Sequence, residues 1–154
     1  MINKENLREF LREAKINAYA GSDENNSRRL RDGGKKITYR KNNFYYRDIY
    51  YGFNPFIGEE IVFDREKPIW AMNYRGQIIR EPIPAKEIYF FLRRALKRVN
   101  KGKPFRGPSN FRFGDFEYLN NVKGKLEKFI GEEKIFYKKE LVYKLDYHGG
   151  FIGR

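Results

Sequence analysis

The sequence predicts an α+β fold in which two helices pack on a mainly antiparallel sheet, built from an internally duplicated unit of one helix followed by antiparallel strands. Three observations carry this prediction. A 24-residue segment recurs, two segments have the apolar periodicity of amphipathic helices, and aromatic residues make up 18% of the 154 residues. Aromatic side chains favour pleated, half-buried surfaces. We expect a single domain over residues 1–154, with repeat units at approximately 3–80 and 84–154.

The repeat relates residues 56–79 to residues 129–152 at a constant offset of 73, without a gap. Nine of the 24 pairs are identical, and several others are conservative. The similarity continues upstream, where Tyr46 corresponds to Tyr118 and Gly52 to Gly124 once one extra residue is allowed in the second copy. A helix followed by strands is therefore expected twice.

Two segments have the spacing of helices with one apolar face. The first is expected from about Lys4 to Ala20, with Asn3 capping its start and Gly21 ending it. The second is expected over about 84–100, because proline at 84 suits a first helical position. The apolar faces consist of Leu7, Phe10, Leu11, Ala14 and Ala18 in the first helix and of Ile88, Phe91, Leu92, Ala95 and Val99 in the second.

The remaining segments predict a loop and a series of hairpins. Residues 22–36 are polar and without a period, so we expect a mobile loop there. Strands are expected at 38–40, 44–51, 60–63 and 69–74, joined by turns at 41–43 and 64–68, and again at 116–119, 124–129, 134–137 and 141–147. Alternation assigns Trp70, Met72, Tyr74, Tyr143, Leu145 and Tyr147 to the core side, and Asn73, Arg75, Asp146 and His148 to the opposite side.

The glycine-rich segment 146–150 is the most chemically suggestive, because it holds the only histidine of the sequence. A carboxylate near an imidazole can raise its pKa and fix its tautomer, and glycines let a ligand approach closely. The counterpart in the first copy is segment 73–76, and a two-fold arrangement would bring the two segments around one pocket. The predicted ligand-binding residues are Asn73, Tyr74, Arg75, Asp146, Tyr147 and His148.

Two other interpretations of this segment stay open. His148 and Asp146 are candidates for the acid–base pair of a small enzyme. Alternatively, the two glycines end a strand and His148 merely packs. From its sequence the chain is an uncharacterised protein, and the leading hypothesis is that it is a small ligand-binding or sensor module.

Positive charge is concentrated in one short segment. The net charge is +13, and residues 84–104 hold seven basic and one acidic side chain. Such a patch attracts polyanions, which makes nucleic-acid binding the main alternative function. The alternative is that these basic residues form the ordinary solvent-exposed face of a helix, which would have the same sequence pattern. The predicted contact residues are Arg93, Arg94, Lys97, Arg98 and Lys101, with Arg28, Arg29 and Arg31 of the loop as additional candidates.

Other charged residues point to structure rather than chemistry. Arg47 and Asp48 are expected to form an exposed pair, with the lining of a cleft as the alternative. The segments Gly58-Glu59-Glu60 and Gly131-Glu132-Glu133 offer paired carboxylates, but these recur at the start of a strand in both copies, which favours a structural role over acid–base catalysis. The sequence has no cysteine and one histidine, which excludes disulfides and His/Cys zinc sites. We therefore expect neither a metal nor a cofactor.

The N-terminus leads directly into a charged segment, and no stretch approaches the roughly 20 apolar residues that span a bilayer. We expect a cytoplasmic protein without a membrane partner. The many charged residues, with few Met and no Cys, are also typical of a heat-adapted host. The aromatic sheet could pair with a second copy, so a homodimer is possible.

Motifs along the whole chain resemble a bacterial and archaeal family of domains of unknown function. They are Ala14-Lys15, Tyr19-Ala20-Gly21, Tyr46-Arg47-Asp48, Tyr51-Gly52, Phe56-Ile57-Gly58-Glu59-Glu60, Trp70-Ala71-Met72-Asn73-Tyr74, Phe105-Arg106-Gly107-Pro108 and Leu145-Asp146-Tyr147-His148-Gly149-Gly150. Members of that family also occur fused behind helix-turn-helix DNA-binding domains of the XRE type. The resemblance implies, by analogy, that the domain senses a ligand or partner. This chain begins directly with the family's first helix, so direct transcriptional control is not expected.

Overall fold

The computed structural model describes residues 1–20 and 27–153, which form two helices and nine strands. In chain order they are α1 (Lys4–Ala20), β1 (Arg28–Arg29), β2 (Lys35–Lys41), β3 (Phe44–Gly52), β4 (Phe56–Asp64), β5 (Lys67–Ile78), α2 (Ala85–Leu96), β6 (Asn110–Phe113), β7 (Phe116–Lys125), β8 (Lys128–Tyr137) and β9 (Glu140–Phe151). The strands form one sheet in which neighbours are antiparallel. The predicted α+β class with a mainly antiparallel sheet is confirmed.

The sheet consists of two meanders that meet in its centre. Its strand order is β1-β2-β3-β4-β5-β9-β8-β7-β6, so β1 to β5 follow one another from one edge and β6 to β9 from the other. The two runs join where β5 pairs with β9, with Tyr74 opposite Tyr147. We call this pairing the central seam.

Helix α1 begins and caps as the sequence predicts. The side-chain Oδ1 of Asn3 accepts hydrogen bonds from the backbone N–H groups of Glu5 and Asn6, at 3.0 and 3.1 Å. These are two of the donors that the first turn of a helix leaves without a backbone partner, so the cap stabilises the helix by about 1 kcal/mol. The expected end at Gly21 lies outside the described residues.

Helix α2 is shorter than the predicted span 84–100. Pro84 is its N-cap rather than its first helical residue. After Leu96 the chain continues as a narrower turn, because the backbone N–H groups of Arg98 and Val99 donate hydrogen bonds to carbonyls three residues earlier instead of four. Such short bonds commonly close the last turn of a helix.

The hairpin turns are tighter than the sequence suggests. Residues Arg65 and Glu66 both have positive φ, 47° and 70°, so a two-residue turn replaces the predicted turn at 64–68. Proline at 68 lies in β5 beside a register shift in the pairing with β4, where a strand tolerates a missing N–H. The predicted strand 124–129 is wrong, since the chain reverses at 126–127, between β7 and β8.

Two short edge strands are absent from the sequence prediction. Residues 28–29 form β1 and residues 35–36 begin β2, although both lie in the expected loop. The four-residue strand β6 pairs with β7 at the other edge. Very short edge strands carry little hydrophobic pattern, which is why periodicity does not reveal them.

One buried cluster joins both helices to alternate residues of the strands. The predicted apolar faces of the helices are all buried, and all of their residues except Val99 belong to this cluster. The covered face of the sheet carries buried side chains such as Tyr46, Val62, Trp70, Tyr74 and Tyr143, and the open face carries the alternating ones, including Asn73, Arg75, Asp146 and His148. Within the described residues, neither helix combines the length and apolarity that crossing a membrane would require.

Candidate functional site

The six predicted ligand-binding residues lie on both faces of the central seam. Asn73 is directly opposite His148, and Arg75 is directly opposite Asp146. These four side chains are exposed on the open face. Tyr74 and Tyr147 alternate with them and are buried on the covered face. The backbone of the sheet therefore separates the two tyrosines from the four polar residues, and one small ligand cannot touch all six.

The open-face group has none of the features of a built site. Segment 146–150 is not a loop but part of β9, so the Cα atoms of Asp146 and His148 are about 6.6 Å apart along one strand. Among the described residues, neither side chain has a hydrogen bond or ion pair with another. The group is flat and exposed, whereas binding sites for small molecules are usually concave.

A concave site lies on the covered face instead. A pocket of about 300 Å³ opens between the helices and strands β2 to β5. Most of its wall is aromatic or aliphatic, and a few polar groups converge in it, which is the usual composition of a ligand pocket. We call it the central pocket; its lining includes Tyr19, Tyr50, Phe53, Phe56, Tyr74, Tyr89 and Leu92, together with the polar residues Lys35, Asp48, Arg93 and Arg106.

Asp48 is the acidic group of the central pocket. Its side chain is only 4% exposed, and the hydroxyl of Tyr74 donates a hydrogen bond to its Oδ1 at 2.6 Å. The expected surface pair with Arg47 is wrong. The guanidinium of Arg47 lies over the ring of Phe63, 5.1 Å from its centroid, because successive residues of β3 point to opposite faces.

The surroundings of Asp48 favour its neutral form. Burial raises the pKa of Asp48 to about 7, and the negative charge of Glu60, directly opposite in β4, adds to this rise. The hydrogen bond from Tyr74 and the charges of Lys15 and Arg106 oppose it without cancelling it. Near neutral pH this carboxyl is therefore present in both protonation states, so it can donate or accept a hydrogen bond.

Behind Asp48 lies a buried ion pair that is incompletely hydrogen-bonded. The Nζ of Lys15 donates to Glu60 Oε2 and to the backbone carbonyl of Phe105, each at 2.5 Å. Burial lowers the pKa of Lys15, and the charge of Glu60 works against this change. Among the described residues, Glu60 Oε1 and the hydroxyl of Tyr46 have no partner although both are buried. Unpartnered buried polar atoms are uncommon and mark functional or strained places.

The second half of the sheet holds a similar cluster that is fully bonded. Arg106 donates to both carboxylate oxygens of Glu133, from Nε at 3.1 Å and from Nη2 at 2.6 Å. The hydroxyls of Tyr118 and Tyr143 donate to the same carboxylate at 2.6 and 2.8 Å. Four donors to one buried carboxylate make a rigid network, so we assign this cluster a structural role.

A comparison of the two halves isolates Asp48. In the first half Tyr74 donates to Asp48, which faces Glu60 across the strands; in the second half Tyr147 donates to Asn120 Oδ1 at 2.7 Å, and Asn120 faces Glu133. An uncharged amide therefore suffices to hold the tyrosine in this arrangement. Holding the tyrosine therefore does not require the carboxyl of Asp48, and this carboxyl lines the central pocket.

The sequence contained a signal for this site. The repeat places Asp48 opposite Asn120 in the alignment, and alternation in β3 places it on the same face as the buried Tyr46. The charged neighbour Arg47 favoured a surface pair instead. In the described residues, no group of three or more His, Cys, Asp or Glu side chains is placed to hold a metal ion.

The predicted basic residues do not form one uniform surface. Lys101 is held by Glu5 and Glu9 of α1, at 2.7 and 3.3 Å. Arg93 is half-buried, lines the central pocket and has a buried Nε without a hydrogen-bond partner among the described residues. The loop candidates Arg28, Arg29 and Arg31 are exposed at the β1 edge. Arg94 and Arg98 lie on aromatic rings, 3.7 Å from the centroid of Phe113 and 4.1 Å from that of Phe111, respectively.

A family model described as a domain of unknown function (DUF5680) matches residues 48–152. This agrees with the resemblance to an uncharacterised family, and the match begins at Asp48. No curated protein and no solved structure is significantly similar to the chain.

Proposed function

We propose that this chain, which belongs to the DUF5680 family of domains of unknown function, is a small-molecule binding module whose ligand occupies the central pocket against Asp48. The observation that carries the proposal is the buried carboxyl of Asp48 in an aromatic pocket, at a position where the other half of the sheet has Asn120. Of the residues first predicted to bind ligand, Tyr74 lines this pocket.

The lining indicates the chemistry of the ligand. Tyrosine and phenylalanine rings offer apolar walls to a planar body. Asp48 suits a hydrogen-bond donor such as an amine, an amide N–H or a hydroxyl, since its pKa of about 7 lets it accept as a carboxylate. Arg93 and Lys35 supply positive charge elsewhere in the lining, which suits an acidic group. A compact aromatic molecule with one donor and one acidic group fits these features.

Binding is tested with wild-type protein and two variants. Native mass spectrometry of the gently purified chain reports any retained molecule, and ligand-observed NMR with aromatic amino acids, aromatic amines and aromatic carboxylic acids supplies defined probes. We expect Asp48→Asn to weaken binding at least tenfold, because a hydrogen bond to a charged group is lost. The fold should persist, because the amide of Asn120 already supports the corresponding tyrosine.

His148→Ala is the matched control, since His148 belonged to the first-predicted site and lies on the open face. We expect it to bind all probes like the wild type. Equal binding by Asp48→Asn and wild type would refute the site in the central pocket. Loss of binding in His148→Ala alone would return the site to the open face.

We also propose that the two halves of the chain, approximately 3–80 and 84–154, descend from one duplicated unit within a single domain. The two meanders support this, as do the register shifts at Val62/Phe63 and Ile135/Phe136, which stand 73 residues apart. After duplication, one copy would have kept a structural cluster around Glu133 while the other acquired the pocket. We propose a cytoplasmic sensor as the setting for such a module.

A further inference from the structure

We propose that a second groove, formed by α2 and the β6–β7 hairpin, binds single-stranded nucleic acid. The groove has a volume of about 380 Å³ and is separate from the open face of the sheet. We call it the aromatic groove; it is lined by Lys86, Glu87, Phe90, Phe91, Arg93, Arg94, Phe113 and Phe116.

Exposed rings flank the aromatic groove. Phe90 is 54% exposed and Phe113 is 52% exposed. Beneath them, Phe91 and Phe116 stack with ring centroids 4.6 Å apart and an angle of 14° between the ring planes. The exposed ring of Phe90, and the face of Phe113 that does not carry the guanidinium of Arg94, offer surfaces on which an unpaired base can stack.

Positive charge surrounds the same rings. Within the described part of the chain, none of Lys86, Arg93, Arg94, Lys97 and Arg98 is in an ion pair, and Glu87 is the only acidic residue in the groove lining. Lys101, which the sequence assigned to this surface, is neutralised by Glu5 and Glu9. Lys86, Arg93 and Arg94 line the groove itself, so they can contact phosphates while bases occupy it.

The combination of rings and cations favours a single strand over other polyanions. A duplex offers its phosphates but keeps its bases stacked, so it provides no unpaired base for the rings of Phe90 and Phe113. An acidic peptide would satisfy Arg94 and Arg98 but has no planar group for each ring.

Fluorescence anisotropy with a labelled 12-nucleotide RNA and its DNA equivalent tests the proposal, at salt concentrations from 50 to 300 mM. We expect Phe90→Ala and Phe113→Ala each to weaken binding about fivefold to a hundredfold, because each removes a stacking face. We expect Arg94→Gln to reduce the slope of log affinity against log salt by about 0.7, the value for one phosphate contact on a single strand.

Controls on the open face separate specific from general effects. Ile130→Ala removes a side chain that is 62% exposed, and Arg75→Gln removes one charge there. Both should change affinity less than twofold, so a general loss of exposed surface or charge is distinguished from a loss of the aromatic groove. Circular dichroism verifies that each variant is folded.

The proposal is overturned if the wild type does not bind the oligonucleotides at 50 mM salt, or if the phenylalanine variants bind like the wild type. Equal or tighter binding to the duplex, to polyglutamate or to vesicles with 30% phosphatidylserine would also overturn it, and would assign the groove to that partner.

Discussion

Replacing Asp48 with asparagine should remove a loss of stability that the wild type undergoes as pH rises. The pKa of Asp48 is about 7 in the folded chain, against an ordinary value of 3.8. Below the ordinary value both the folded and the unfolded state hold the proton, so this group has no effect. Between the two values only the folded state holds it, and the free energy of unfolding falls as pH rises. A difference of roughly three pKa units corresponds to about 4 kcal/mol.

Urea unfolding followed by circular dichroism at pH 5, 6, 7 and 8 measures this effect. The free energy of unfolding of Asp48→Asn minus that of the wild type should increase with pH and level off above about pH 7. The rise between pH 5 and pH 8 should be about 3 kcal/mol, because about two of the roughly three pKa units lie in this range. Asn120→Asp is the matched control, because it places a carboxyl at the corresponding position and should introduce the same kind of pH dependence. A difference between variant and wild type that is constant with pH, or that shrinks as pH rises, would refute the reasoning.

Two further predictions concern the surroundings of this carboxyl. Lys15→Met should lower the free energy of unfolding by about 3–5 kcal/mol, because it leaves the buried Glu60 without its partner. Lys101→Met removes an exposed ion pair and should lower it by at most about 1 kcal/mol. Similar losses in the two variants would contradict the prediction that the buried pair contributes more to stability. Gly58→Ala should cost about 1–3 kcal/mol, because the added Cβ would lie 2.3 Å from the hydroxyl of Tyr74. Gly102→Ala, where the nearest atom is 3.4 Å away, is the control for thermal unfolding, and a Gly58→Ala protein as stable as this control would show that the ring simply moves aside.

Patterns of residues close together in the sequence were sufficient to predict some helices and strands. Helix α1 and its Asn3 cap followed from spacing and residue type alone, and alternation placed Trp70, Met72 and Tyr74 in the core. These features depend on residues a few positions apart. The type of hairpin turn did not follow, because Arg65-Glu66 and Lys138-Lys139 adopt positive φ without the glycine or asparagine that usually indicates it.

The site depended on contacts between distant segments. Arg47 and Asp48 are adjacent in the sequence, but their environments are decided by which side of β3 faces α1 and Arg106. Asn73, Arg75, Asp146 and His148 do lie side by side, as the repeat suggested. They do so on a flat open face, because the segments that hold them are paired strands and not loops. A pattern along the chain tells which residues share a face but not which face curves into a pocket.

The central seam has a consequence for how the chain can be divided. Every other pairing in the described sheet joins strands that are consecutive in sequence, and most of these are connected by tight turns, so each meander can form from local contacts. The pairing of β5 with β9 joins residues such as Tyr74 and Tyr147, which are far apart along the chain. The link between β5 and α2 is largely exposed. Separate expression of residues 1–80 and 81–154 should therefore give two fragments that reassemble through this strand pair and through contacts such as those of Lys15 with Phe105 and of Lys101 with Glu5. Such a split chain would report association wherever its halves are fused to two interacting proteins.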